Sequence, residues 1–409
     1  MHFIFTLIHC YRSIELKHID TELKEQLNTA EIRRRNLQQV FRYLIEIERA
    51  SIQDIADHLN ISRPTVLQAV RTLESKGLVE EDGKFQSEGG RRAKAVRCIP
   101  NAKYAVGMDI TKNHVGLVVT DFTEKPIRQK RIAHPFEKSE DYRNFLHDEL
   151  ESFLEGLPNA EKNLLGIGIS VPGIINENNG YLLISNVLNI GEMSQEELTG
   201  KFSVKAILIN DANAAGITEF LQDTTESIFY LGLNNSVGGA FFQGSRVSKD
   251  SGAGVNIMGR LFKGTHWHSA EAGHMVIHPG GKTCYCGKKG CADPYVSALS
   301  LSNHADGNLE LFFKRLQEND PECRRVWDTY LDDLAIVVDN IYTLFDCRVV
   351  IGGYVGNHIA PYIGILRDRV SSKNTFEKNA SYLYAGMFHQ EAPALGASIH
   401  IIEQYILSL

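Results

Sequence analysis

Between Thr29 and Gly77 apolar residues recur every three or four positions with two interruptions, which predicts three helices in succession. In the first, Ile32 to Ile47, residues Leu37, Val40, Phe41, Leu44 and Ile45 form one stripe. Ser51 has the place of an N-cap for the second, where Ile52, Ile55, Ala56 and Leu59 repeat at helical spacing. "NIS" is then a turn, and Ser62 caps a third helix with Pro64 in its first turn. Ile61 and Val66 have the spacing of a hydrophobic staple across that cap. Val66, Val70 and Leu73 face inward, Arg63, Thr65, Gln68 and Arg71 point out, and Gly77 ends the helix.

A short helix, a tight turn and a helix with an exposed basic and amide face make a helix-turn-helix pattern. Arginine can fork onto guanine, glutamine onto adenine, and threonine suits a phosphate or a thymine methyl. "LVEEDGKFQ" follows, two strand-like runs about an Asp-Gly turn, and reads as a wing. "SEGGRRAKAVR" reads as a flexible basic strip, in which Arg91, Arg92 and Lys94 suit the backbone or minor groove. Reading a palindrome with such a unit takes paired copies, so an oligomer is expected.

From Lys103 the period changes. "YAVGMDI", "HVGLVVTDF", "LLGIGISV" and "KAILIN" are strand-like, and "DANAAGITEFL" is a helix. "SIFYLGL" and "VGGAFF" form a strand pair. A long helix fits Val326 to Phe345, then comes the strand "RVVIGG", then a closing helix near "GASIHIIEQYIL". Strands mixed with helices, with glycines at strand ends and no repeat, indicate an α/β body of two lobes. Polar residues at strand ends, notably Asn210 and Asp211, stand where such folds hold ligands. The organisation expected is an N-terminal extension over 1–28, a winged helix-turn-helix domain over 29–99 and a body over 100–409. Its lobes would be 100–212 with the closing helix 394–409, and 213–393.

The 409 residues carry a net charge of −7, which alone argues against nucleic acid. The distribution reverses this for the front end: Thr29 to Ile99 holds 13 Lys/Arg against 10 Asp/Glu, and the remainder 30 against 40. No apolar run is long enough for a membrane span. The opening "MHFIFTLIHCYR" lacks a basic leader and a small-residue cleavage site, so it reads as an extension or packing strand. Seven scattered cysteines argue against a secreted disulfide framework and for a reducing cytoplasm.

Three of those cysteines, Cys284, Cys286 and Cys291, fall in "GKTCYCGKKGCADPY", with His274 upstream. A disulfide would strand one thiol, and a redox pair usually spaces its cysteines by two residues. Three thiolates and an imidazole make a common tetrahedral zinc set, and four protein ligands close the site, so the zinc would be structural. A metal on one ring nitrogen leaves the other available to a ligand. Glu271 and Asp293 flank that anchor, and carboxylates with an imidazole suit the hydroxyls of a sugar.

With "SVPG" (170–173), "NDANAA" (210–215), "EAGH" (271–274), "CYCGKKGCAD" (284–293) and "IGG" (351–353), the chain from about Lys103 onward resembles the ROK family of sugar-responsive repressors and sugar kinases. The resemblance implies an actin-like, two-lobed sugar-kinase fold. It implies zinc on His274, Cys284, Cys286 and Cys291, and sugar contacts from Asn186, Asn210, Asp211, Glu271, His274 and Asp293. The front-end domain is similar to the repressor branch. Family kinases begin a phosphate loop Asp-x-Gly-Gly-Thr, where this chain has "DITKN" (109–113). Their second loop reads Gly-Thr-Gly, where this chain has Asn234, Asn235 and Ser236. Side chains in place of glycines should block close phosphate approach. Asp211 keeps the kinase general-base position, yet a carboxylate there can equally hold a sugar hydroxyl. Family members mostly have Glu at Asp293, and the shorter side chain withdraws its carboxylate by roughly 1.5 Å, so a direct sugar contact could become water-bridged.

The sequence therefore predicts a sugar-responsive transcription factor, a repressor without enzymatic activity, acting on palindromic operator DNA as a homodimer or homotetramer with structural zinc. The alternative is an ATP-dependent sugar kinase that carries a DNA-binding domain.

Overall fold

The computed structural model describes residues 29–84, 94–177, 179–245, 259–388 and 390–409. The extension over 1–28, together with Arg91 and Arg92, lies outside the described residues. The chain divides into two compact units at Cys98/Ile99.

The first unit has three helices, α1 (Thr29–Glu46), α2 (Ile52–Leu59) and α3 (Arg63–Ser75), and a sheet of order β1-β3-β2. The strands are β1 (Ala50–Ser51), β2 (Val79–Lys84) and β3 (Lys94–Cys98). Val40, Phe41, Leu44, Ile55, Val66, Leu73 and Leu78 are fully buried, as the apolar stripes require. Ser51 starts α2 with a capping box: its Oγ accepts the Asp54 N–H, and the Asp54 carboxylate accepts the Ser51 N–H at 2.9 Å. Asn60 closes α2 at φ 53°, and its N–H bonds to the Ala56 carbonyl. Ser62 Oγ accepts the Thr65 N–H at the start of α3.

The wing differs from the sequence expectation. β2 runs through Asp82-Gly83 as a bulge, with a register shift between Glu81 and Lys84, instead of turning there. Its partner is the stretch Lys94–Cys98, part of what reads in sequence as a flexible strip. Ala95, Val96 and Cys98 of this strand are buried while Lys94 and Arg97 are exposed.

The second unit holds two main sheets. One has order β11-β7-β4-β5-β6: β4 (Tyr104–Ile110), β5 (His114–Thr120), β6 (Pro126–Ala133), β7 (Leu164–Val171) and β11 (Ala206–Asn210). A small sheet, β8 (Ile174–Asn176), β9 (Tyr181–Ile184) and β10 (Met193–Ser194), follows β7 in sequence. The other main sheet has order β13-β12-β14-β15: β12 (Ile228–Leu233), β13 (Val237–Phe242), β14 (Arg348–Gly352) and β15 (Leu383–Ala385). Helix α4 (Glu140–Leu154) buries Tyr142, Leu146, Leu150 and Phe153 in the core of the first sheet. Helices α6 (Leu309–Gln317) and α7 (Pro321–Phe345) do the same for the second.

Between these cores lie α5 (Asp211–Phe220) and α9 (Ala392–Ser408), which share a third apolar cluster. Their approach is backbone to backbone. A Cβ on Gly396 would stand 1.7 Å from the Ala214 carbonyl oxygen, and one on Gly107 of β4 would stand 1.7 Å from that of Ala394. Only glycine admits this spacing. It fixes the start of α5, Asn210-Asp211, at the carboxyl end of β11, the position the sequence marks for a ligand. Helix α8 (Gly353–Ile359) begins directly after β14.

Candidate functional site

The loop Gly281–Asp293 is folded by its own backbone. Cys284 N–H bonds to the Lys288 carbonyl (2.8 Å), Gly290 N–H to the Lys282 carbonyl (2.8 Å), and Ala292 N–H to the Met275 carbonyl (2.8 Å). Gly290, at φ 86°, leaves no room for a side chain: a Cβ would lie 1.9 Å from the His278 carbonyl oxygen. The loop brings the ligand atoms of His274, Cys284, Cys286 and Cys291 within 4.8 Å of one another. Cys286 and Cys291 sulfurs are 3.8 Å apart, as are Cys284 Sγ and His274 Nδ1. Thiolates about 2.3 Å from a tetrahedral ion are separated by roughly 3.8 Å, so this donor set fits such an ion.

His274 aims Nδ1 at this cluster. Its Nε2, expected to be available to a ligand, lies 3.2 Å from the Tyr285 hydroxyl.

The same residues form one wall of a cavity of about 430 Å³. Asn186, Asn210, Asp211, Glu271 and His274 all line it, so the structure brings together five of the six residues expected to meet a sugar. Asn210 is already engaged at both ends of its amide. Oδ1 accepts the Asn213 N–H and Nδ2 donates to the Gly173 carbonyl, each at 2.9 Å, so it caps α5 and pins the Pro172-Gly173 turn. Asp211 Oδ1 accepts the Ala212 N–H at 2.9 Å. Burial pushes the Asp211 carboxyl up, and burial with the nearby Asp211 charge does the same for Glu271.

Asp293 is placed differently from the expectation. It is buried, is not among the lining residues, and its Oδ2 accepts the Val237 N–H at 2.8 Å. The short side chain ends on the backbone of β13, and burial pushes its carboxyl up to about 6. Asp293 thus ties the cysteine loop to the strand that floors the cavity.

The lining also includes Glu177, Lys263, Trp267, His268, Tyr285 and Lys288. Lys263 pairs with Glu177 and lies 5.7 Å from the Trp267 ring centroid. Trp267 is held at φ 64°, a rare conformation for a bulky residue that concentrates at ligand sites. No motif marks "KGTHWHS" in the sequence; pairing of Leu261 and Phe262 with the end of β13 brings it here.

A second cavity, of about 750 Å³, meets the first at Asp211. It is lined by Asp109, Thr111, Lys112 and Asn113 and by Asn234, Asn235 and Ser236, the two segments that the sequence comparison sets against kinase phosphate loops. Asp109 is buried and accepts a hydrogen bond from Ser170 Oγ at 2.9 Å. Burial, with the Asp211 charge adding to it, pushes its carboxyl up to about 7. Arg131 of β6 donates to the Tyr354 hydroxyl of α8 at 3.2 Å, with its guanidinium 6.0 Å from the ring centroid. This contact joins β6 to α8 across the cavity.

In the first unit, Arg63, Gln68 and Arg71 are exposed on α3, as expected. Thr65 is half-buried, with its hydroxyl 2.8 Å from that of Ser62, so it belongs to the cap of the helix. Lys94 is paired with Glu81 across the β2–β3 ladder, and Arg97 with Glu80 at 2.6 Å. The acidic partners reduce what these two cations offer a phosphate.

A winged helix-turn-helix unit followed by a two-sheet α/β body with a His-Cys₃ cluster defines the class of the protein. The chain belongs to the ROK family, whose profile matches residues 105–404, and residues 33–80 match a profile described as winged helix-turn-helix DNA-binding. The xylose repressor of Bacillus spizizenii is 26% identical over 375 residues, covering 88% of this chain and 92% of the relative. A solved ROK family transcriptional regulator, described as a homolog of the E. coli MLC protein, superposes with TM-score 0.71 at 17% identity, covering 92% and 97% of the two chains. A ROK family glucokinase from Streptomyces griseus, solved with glucose and AMPPNP, gives TM-score 0.59 at 17% identity over 72% of this chain and 98% of that one. No described helix is long and apolar enough to cross a membrane.

Proposed function

We propose that the protein is a sugar-responsive transcriptional repressor of the cytoplasm. The observation that carries this reading is the presence, in one chain, of α3 with exposed Arg63, Gln68 and Arg71 and of a body cavity where Asp211, Glu271 and His274 converge. The α3 face reads a palindromic operator as a homodimer or homotetramer. The cavity takes a sugar, and different sugar affinities of the DNA-bound and free states supply the coupling. Xylose heads the candidates because the relative above is a xylose repressor. Zinc on His274, Cys284, Cys286 and Cys291 holds the imidazole against the cavity. With four protein ligands it activates no water and is structural.

The competing reading is an ATP-dependent sugar kinase, favoured by Asp211 and by the size of the second cavity. Against it, Thr111, Lys112 and Asn113 put side chains where phosphate needs bare backbone, and the Arg131–Tyr354 contact crosses the same space. Phosphorylation of a sugar that needs ATP and disappears in Asp211→Asn would establish the kinase.

Gel shift on DNA upstream of the gene tests the repressor. Arg63→Ala and Gln68→Ala should each weaken operator binding by about 1–3 kcal/mol if they read bases. Absence of specific binding in low salt with zinc present refutes the reading. Full affinity in both variants moves base recognition to the wing.

A further inference from the structure

We infer that the Tyr285 hydroxyl is a built-in competitor for the sugar at His274, and that a ligand binds by taking over its hydrogen bond. This rests on the reading of the 430 Å³ cavity as a sugar pocket.

Tyr285 lies between two residues of the metal cluster, Cys284 and Cys286. Its hydroxyl is 3.2 Å from His274 Nε2, with the rings edge to face at a centroid distance of 5.2 Å. Both groups line the cavity. An imidazole that gives Nδ1 to an ion carries its only N–H on Nε2. One N–H satisfies one well-placed acceptor, and here the tyrosine oxygen is that acceptor. A sugar hydroxyl arriving from the cavity reaches His274 only where the tyrosine oxygen leaves.

The means of leaving is local. Tyr285 is 50% exposed, against 2% for Cys284 and 0% for Cys291. Backbone hydrogen bonds from Cys284 N–H to the Lys288 carbonyl (2.8 Å) and from Gly287 N–H to the Cys284 carbonyl (2.9 Å) hold the loop, and the half-exposed ring is free to rotate about its side-chain bonds. The exchange therefore costs one protein–protein hydrogen bond and no change in the metal loop. The hydroxyl also holds the imidazole's N–H satisfied while the pocket has no ligand, which avoids a stranded donor.

Tyr285→Phe separates this role from its alternatives, because it deletes the competing oxygen and keeps the ring. Titration calorimetry on the zinc-loaded full chain with D-xylose, D-glucose and N-acetyl-D-glucosamine gives the affinities, and metal analysis gives the zinc content. The variant should keep its zinc and bind the sugar that the parent binds about 2- to 10-fold more tightly, the range of a single net hydrogen bond. Weaker binding by the variant would make Tyr285 a direct sugar contact, and unchanged affinity would make it a bystander; either overturns the inference and leaves the sugar pocket standing. No binding of any of the three sugars by parent or variant overturns the pocket itself. Loss of zinc in the variant also overturns the inference, since the hydroxyl would then be part of what builds the metal loop.

Discussion

Asp109 is a carboxylate that the fold holds at a cost, and Asp109→Asn should expose that cost as a function of pH. The residue is 4% exposed, and its carboxyl is raised from 3.8 to about 7, chiefly by burial, against the opposing hydrogen bond from Ser170. In the unfolded chain the group ionises near its ordinary value, while in the folded body it keeps its proton until near neutrality. The contribution of this group to stability is therefore least unfavourable in acid and worsens as pH rises through that window, levelling off above about 7. At about 1.4 kcal/mol per pH unit, the full penalty is on the order of 4 kcal/mol, more than half of it developing between pH 5 and pH 8. Asparagine keeps an oxygen for Ser170 and carries no charge. Urea unfolding followed by tryptophan fluorescence reports on the body alone, since Trp267 and Trp327 are the two tryptophans of the chain. The variant's stability relative to the parent should rise by about 2 kcal/mol or more across that range. A difference that stays flat from pH 5 to pH 8 would refute the placement of an ionisable, desolvated Asp109 in this cleft.

Two other variants test the scaffold. Cys286→Ser should take the chain from about one bound zinc to none by metal analysis and lower its melting temperature, whereas Cys347→Ser, buried outside the cluster, should keep the metal. A parent protein without zinc refutes the cluster's role. Gly396→Ala forces a Cβ into the Ala214 carbonyl and should destabilise the body by about 2 kcal/mol or more in the same urea assay; a neutral outcome would mean that α9 does not press on α5 as described.

Elements buried on both faces could be read from the chain because nothing interrupts their apolar character: Tyr104–Ile110 is buried at every position and is a strand over those same residues. β6 could not. "PIRQKRIA" is an edge strand with mostly exposed or half-exposed residues, so it has no apolar run to betray it. The wing was misplaced for a related reason. Asp82-Gly83 has the composition of a two-residue turn, and only long-range pairing with Lys94–Cys98 turns it into a bulge. In the site, cysteine spacing carried the cluster, because ligands of one ion must be close in space and three of them are close in sequence. What spacing does not carry is the direction of a side chain. His274 with Tyr285, Asp293 with Val237 and Asn210 with Gly173 are all hydrogen bonds within the protein made by residues that the sequence presents as available to a ligand.

Helix α9 is translated after every other element of the body, yet it lies against β4, β5, β7 and α5. Until it emerges, the first sheet has a bare apolar face and Asn210-Asp211 lacks the backing that fixes its position. The sheet of the N-terminal unit, by contrast, has all its strands by Cys98. During synthesis the helix-turn-helix unit is thus complete well before the last helix of the body has been made.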